Sequence, residues 1–230
     1  MIITIDGPVA TGKSSIAKKL AQETGFIFFD TGAMYRALTY GILKQSIDWH
    51  DQTQLENYLD QFKLEIKVIH HERCYFVDQE DVTQKIRSQQ VNATVSEISA
   101  LKTVRDKFVA LQRQLALGVN AVFEGRDMGT VVFPDAALKI FLTGRNDIRA
   151  KRRYQEMIGK DPEMANILTL EQCLADLNRR DTYDSTREHS PLKQASDAYV
   201  IDTSDLTIDE IVYRILEYKD LMKTKYNNMH

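Results

Sequence analysis

The chain has 230 residues, of which 43% are hydrophobic and 27% charged, and its formal net charge is −3. That length suffices for one good core with a small appended domain. The charge gives no global case for nucleic-acid binding, and no apolar run approaches the roughly 20 residues of a membrane span. An apolar strand beginning at residue 2 leaves no room for a signal peptide, and Cys74 and Cys173 match no metal spacing, so the expected compartment is the reducing cytoplasm.

The first element is the apolar run Ile2-Ile3-Thr4-Ile5, followed by Gly7-Pro8-Val9-Ala10-Thr11-Gly12-Lys13-Ser14 and then a helical stretch with Ile16, Ala17, Leu20 and Ala21 on one side. The pattern G-x-x-x-x-G-K-[ST] between strand and helix is a phosphate-binding loop. Its backbone N–H groups converge at a helix N-terminus, where negative charge is favoured. In such a loop Lys13 neutralises the β- and γ-phosphates of a nucleoside triphosphate, and the Ser14 hydroxyl joins the ligands of Mg²⁺. Gly25 marks the end of the helix, and Phe26-Ile27-Phe28-Phe29 reads as a strand buried on both faces. A polar Asp30-Thr31-Gly32 turn follows, with Arg36 one helical turn later. Ligands of open α/β sheets sit at the carboxyl ends of strands, so these residues are candidates for a site, although exposed Arg is also ordinary on a helix.

The next segment changes character. Leu55, Tyr58, Leu59 and Phe62 suggest an amphipathic helix, residues 63–69 alternate polar and apolar as a half-exposed strand does, and residues 73–77 complete a hairpin. This antiparallel excursion, near 63–83, reads as an insert. His70 and His71 are adjacent and point to opposite faces of a strand, which favours turn residues over metal ligands. Helical periodicity returns at Val91, Val95 and Ile98, and then in a core stripe of Leu101, Val104, Phe108, Leu111 and Leu115.

Residues 119–123 read as another buried strand running into Glu124-Gly125-Arg126-Asp127-Met128-Gly129-Thr130. A guanidinium and a carboxylate thus stand side by side at a strand's carboxyl end, either as a ligand site or as a surface ion pair. Residues 137–142 form a further strand. A basic region then runs from Arg145 to Arg187, interrupted at Gly159-Lys160-Asp161-Pro162 by what reads as a mobile loop joining helices. Residues 198–202 form the fifth strand, and a helix with Ile208, Ile211, Val212, Ile215 and Leu216 closes the domain before a frayed tail at 226–230. Five strands alternating with helices indicate an α/β fold with a doubly wound parallel sheet. Its carboxyl edge is rich in Arg, and no Cys–His or Ser–His pairing suits nucleophilic catalysis. This set favours phosphoryl transfer, which needs positioning and charge neutralisation. An acceptor that is itself a phosphate is already largely dianionic at neutral pH and needs no strong base.

The blocks Asp30-Thr31-Gly32-Ala33-Met34-Tyr35-Arg36 and Gly125-Arg126-Asp127-Met128-Gly129-Thr130 carry a resemblance, as do Glu80-Asp81-Val82, Ile86-Arg87 and Arg180-Asp181 with Asp184 and Arg187. Together with the phosphate loop, they make the chain similar to bacterial-type cytidylate kinases over nearly its whole length. The resemblance implies transfer of a phosphoryl group from ATP, with Mg²⁺, to CMP or dCMP, by a cytoplasmic monomer with no nucleic-acid or membrane partner. It implies a core domain over 1–34 and 100–230, a monophosphate-binding domain over 35–99, and a helical lid near 149–168. It further implies that Thr31, Arg105, Asp127 and Arg187 read cytosine, and that Ser96, Arg180 and Asp184 hold the ribose. Arg36 and Arg126 fall on acceptor-phosphate positions. Lys13, Arg36, Arg126 and Arg187 are the expected catalytic set, and residues 7–14 with Ser15 and Arg153 are the expected ATP site. A carboxylate matches the cytosine N4 donor and a guanidinium its O2 and N3 acceptors. Two positions depart from many relatives: residue 31 is Thr where Ser is frequent, and Val9-Ala10-Thr11 replaces a loop containing Gly or Ser. Another monophosphate acceptor (UMP, AMP or dTMP) and a nucleotide-binding switch remain the rival readings.

Overall fold

β1 (Ile2–Asp6) occupies the centre of a five-stranded parallel sheet, between β6 (Ala121–Gly125) and β7 (Leu138–Thr143). The computed structural model describes residues 1–70 and 72–227. β2 (Ile27–Asp30) and β8 (Tyr199–Asp202) complete the order β2-β6-β1-β7-β8. Ile3 and Ile5 of β1 pack with Ile16, Ala17 and Leu20 of α1 (Lys13–Thr24) and with Ile211, Val212 and Ile215 of α8 (Ile208–Asn227). By the two-residue period of a strand, Thr4 and Asp6 point to the opposite face, and both are buried there.

The chain divides into two units, one made of Met1–Phe29 and the chain from Leu115 onward, the other of Asp30–Gln114. The second unit holds α2 (Thr31–Lys44), α3 (Gln52–Gln61), α4 (Gln89–Ile98) and nearly all of α5 (Lys102–Leu115). It also holds an antiparallel sheet of β3 (Leu64–Ile69), β4 (Glu72–Val77) and β5 (Glu80–Asp81). Leu64 pairs with Val77 between β3 and β4, while Val77 pairs with Glu80 across the two-residue turn at Asp78 and Gln79, whose φ values of 50° and 70° suit a tight hairpin between β4 and β5. Ala33 and Ala37 of α2 pack on Tyr75, Val77, Val82 and Ile86 to give this unit its own core.

Several boundaries differ from the sequence reading. Asp30-Thr31-Gly32 is a helix start, because the Asp30 carboxylate caps α2 by accepting from the Ala33 N–H at 2.8 Å. The strand expected at 119–123 runs from Ala121 to Gly125, since Glu124 and Gly125 still pair with Ile5 and Asp6. The break expected at 159–162 is narrower. α6 (Asn146–Lys160) continues through Gly159, Asp161 caps a 3-10 turn at Pro162–Asn166, and α7 (Leu170–Thr186) begins behind a Thr169–Gln172 capping box. In α5 the fully buried face is Val104, Arg105, Phe108 and Gln112, whereas Leu111 and Leu115, and Leu101 just before the helix, are half-buried. The face turns so that Tyr35 stacks on Phe108 with Arg105 over the tyrosine ring. α8 continues to Asn227, so positions 226 and 227 of the expected tail are helical; 228–230 lie outside the described residues, as does His71.

Candidate active site

The phosphate loop is shaped by its backbone. Gly7 has φ of 149°, and a Cβ there would lie 2.3 Å from the Leu142 carbonyl oxygen, so only glycine lets the loop pass β7 this closely. Gly12 (φ 87°) is the N-cap of α1, with no side chain occupying the first N–H groups of the helix. Those donors therefore face the loop, as anion binding requires. Lys13 is buried within it, its Nζ donating to the Pro8 carbonyl at 2.6 Å. Burial, reinforced by the Arg126 charge, pushes the Lys13 ammonium down to about 7. A polyphosphate in the loop would restore its charge.

The Ser14 hydroxyl donates to Glu124 Oε1 at 2.5 Å, from the head of α1 to the end of β6. A hydroxyl and a carboxylate are hard oxygen donors. They fit Mg²⁺, which keeps several waters and takes few protein ligands. Among the described residues no group of three or more His, Cys, Asp or Glu is arranged to hold a metal ion. Glu124 is absent from the expected site. Its signal in the sequence was an acidic residue closing an apolar strand, but the contact to Ser14 spans 110 positions.

Asp181 of α7 and Arg149 of α6 grip the loop from another direction. The Val9 N–H donates to Asp181 Oδ1 at 3.0 Å, while Arg149 Nη1 donates to the Val9 carbonyl at 2.9 Å and to Asp181 Oδ2 at 2.6 Å. The expected lid arginine, Arg153, pairs with Glu156 at 2.9 Å. Arg149 is the basic residue of α6 bonded to the loop; the sequence placed it in the basic region and Asp181 in a motif, but gave neither a role at the loop.

Beyond β6 the structure gathers four expected residues. Arg126 Nε donates to Asp184 Oδ2 at 2.7 Å, and Arg187 Nη2 lies 3.7 Å from Asp127 Oδ1, with both of the latter side chains buried. Burial opposes the Arg126 charge, but Asp184 and Glu124 outweigh it and keep the guanidinium above its ordinary pKa. Burial likewise opposes the Asp184 charge, and Arg126 outweighs it, holding the carboxyl below the usual range. Arg187 also donates to the Ser190 carbonyl. Arg180 is half-buried on α7, and its Nε has no partner. Thr31, Arg36, Ser96 and Arg105 belong to the other unit. There Arg36 Nη1 donates to Asn92 Oδ1 at 2.5 Å, Thr31 and Arg105 are buried, and Ser96 is half-buried on α4.

The sequence that builds this site is similar to known proteins. The family model described as cytidylate kinase matches residues 3–221. A cytidylate kinase of Protochlamydia amoebophila is 70% identical over 225 residues, covering 98% of this chain and 99% of that protein. One from Shouchella clausii is 43% identical over 94% of each chain. One from Halalkalibacterium halodurans is 42% identical over 95% of this chain and 96% of its own.

Proposed function

The chain belongs to the cytidylate kinase family, and on that premise we propose how its residues transfer the γ-phosphoryl group of ATP to CMP or dCMP. The observation that carries the reading is the cluster Arg126–Asp184 with Asp127–Arg187, set directly after the strand whose Glu124 meets Ser14 of the phosphate loop. Residues 7–15 cradle the triphosphate, with Lys13 against the β- and γ-phosphates. Ser14 and Glu124 are the oxygen donors that would hold Mg²⁺, which when bound neutralises phosphate charge. Arg126 and Arg36 bind the acceptor phosphate, Arg126 being kept charged by Asp184. Asp127 accepts from the cytosine N4 group, Arg187, Arg105 and Thr31 complete the base contacts, and Ser96, Arg180 and Asp184 hold the sugar. Arg153 completes the donor site from a lid near 149–168. The proposed core domain is 1–34 and 100–230 and the proposed monophosphate-binding domain 35–99, a division that puts Thr31 and Arg105 with the core where the compact units put both in Asp30–Gln114.

No side chain in this set needs to act as a strong base. The acceptor oxygen is already anionic, so the protein's work is to align two polyanions and spread positive charge over the transferring group. Asp127 contributes discrimination, because a buried carboxylate left without its base partner costs several kcal/mol. Among the described residues no helix is long and apolar enough to cross a membrane. We take the enzyme to be a cytoplasmic monomer with no nucleic-acid or membrane partner, and sedimentation equilibrium tests the oligomeric state. The acceptor is tested by initial rates with CMP, dCMP, UMP, AMP and dTMP at matched ATP and Mg²⁺. The expected order places CMP and dCMP first, and a faster rate with AMP or dTMP overturns the base assignment.

A further inference from the structure

We infer that Asp6 is a positioning residue: it sets the turn bearing Arg126 and Asp127 and ties that turn to the phosphate loop. The inference rests on the acceptor roles proposed for those two residues. Asp6 accepts from the Met128 N–H at 2.9 Å through one oxygen and from the Gly129 N–H at 2.7 Å through the other. Both oxygens are therefore engaged, in a side chain that is 4% exposed. On the other side of the pair, β1 and β6 run in register to Asp6↔Gly125. Arg126 and Asp127 are thus the two residues between two fixed points, Gly125 in the sheet and Met128 on the Asp6 carboxylate. With about 3.8 Å between successive Cα atoms, two residues held at both ends have little freedom left.

The packing beneath the turn points the same way. A Cβ on Gly129 would lie 3.1 Å from Thr4 Oγ1, 3.2 Å from Lys139 Cδ and 3.4 Å from Asp6 Oδ2, so the turn sits directly on β1 and β7 side chains. The Asp127 carbonyl then accepts from the Val131 and Val132 N–H groups at 2.9 and 3.2 Å, which closes the wide helical turn Met128–Val132. Asp6 also immediately precedes Gly7, whose backbone rests on Leu142. One residue therefore joins the loop that holds the donor to the turn that faces the acceptor. A carboxylate is needed for this because it offers two acceptors, whereas an amide sets an NH₂ donor against one of the two N–H groups.

The test uses the full-length enzyme with Asp6→Asn, and Gly129→Ala as a second variant that lifts the same turn without changing β1. The KM values for CMP and ATP are measured alongside hydrogen exchange at the Met128 and Gly129 amides. For Asp6→Asn the KM for CMP rises about 10- to 100-fold, the factor corresponding to one charge-assisted hydrogen bond, with the KM for ATP within about twofold. The amide at position 129 exchanges faster in both variants, and Gly129→Ala repeats the split between the two KM values. Equal rises in both KM values, or faster exchange with an unchanged KM for CMP, overturn the assignment. Asp127→Ala separates the two levels of inference. If it raises the KM for CMP while Asp6→Asn does not, only the role of Asp6 falls. If it leaves the KM for CMP unchanged, the base-reading role falls and that of Asp6 with it.

Discussion

Arg126 Nε lies 2.7 Å from Asp184 Oδ2, which joins the residue following β6 to the last turn of α7. Each side chain keeps the other charged against burial, so the guanidinium reaches an anionic acceptor already ionised. Removing Asp184 takes away the largest of the carboxylate contributions that offset the burial of Arg126 and leaves Glu124 and Asp181 as the remaining ones. Asp184→Ala is expected to lower stability by about 2 kcal/mol, the scale of one charge-assisted bond. Denaturant melts of the two single variants and the double variant measure this, and a coupling energy near zero contradicts it. The same variant changes CMP and dCMP kinetics by different factors if Asp184 touches the sugar.

Lys13→Ala separates catalysis from folding. Turnover is expected to fall at least about 10²- to 10³-fold, as for loss of one preorganised charge donor. Burial holds the Lys13 pKa near 7, below the unfolded value, so the folded state disfavours its charge and the variant's Tm is unchanged or higher. Initial rates and calorimetry on one preparation check both halves.

Asp6 gives the pH dependence. Burial raises its carboxyl from 3.8 to about 7, against the lowering by the Gly129 and Met128 amides, with Asp127 adding to the rise and Lys13 opposing it. A folded pKa above the unfolded one means stability present below about pH 4 and lost as pH rises toward 7. Asp6→Asn should flatten that decline. Urea midpoints between pH 4 and pH 8 for both proteins decide it, and parallel curves contradict it.

Arg149 and Asp181 hold Val9 of the phosphate loop, so their loss is expected to fall on the donor. Asp181→Asn and Arg149→Lys should raise the KM for ATP about tenfold, with little change for CMP, since a charge-assisted bond is worth roughly that factor. Arg153→Ala, which removes a pairing with Glu156, should do less than Arg149→Ala. The reverse order makes Arg153 the principal donor arginine.

Much of the fold is legible because its signals are local. Strand Ile2–Asp6, the loop at 7–14 and helix Lys13–Thr24 follow from a continuous apolar run, two glycines at fixed spacing and an i, i+4 stripe. The hairpin of the second unit follows from alternation. What misleads is polarity at element ends. Glu124 looks like the start of a loop but belongs to β6, because its backbone is still paired with Ile5. Asp30 looks like a turn residue but caps a helix. In α5, Arg105 and Gln112 take buried places that leucines were expected to hold.

The amino-acid order alone determined that a phosphate loop heads an α/β sheet, that arginines dominate the rest of its carboxyl edge, and which family the motifs resemble. Each of those depends on residues within a few positions of one another, where backbone geometry translates spacing directly into shape. Only the folded chain decided that Glu124 meets Ser14, that Asp181 and Arg149 hold Val9, and that Asp6 carries the Met128–Gly129 amides. These partners lie more than a hundred positions apart, and the parallel crossovers of the sheet, not any local preference, bring a carboxylate within reach of an N–H or a hydroxyl.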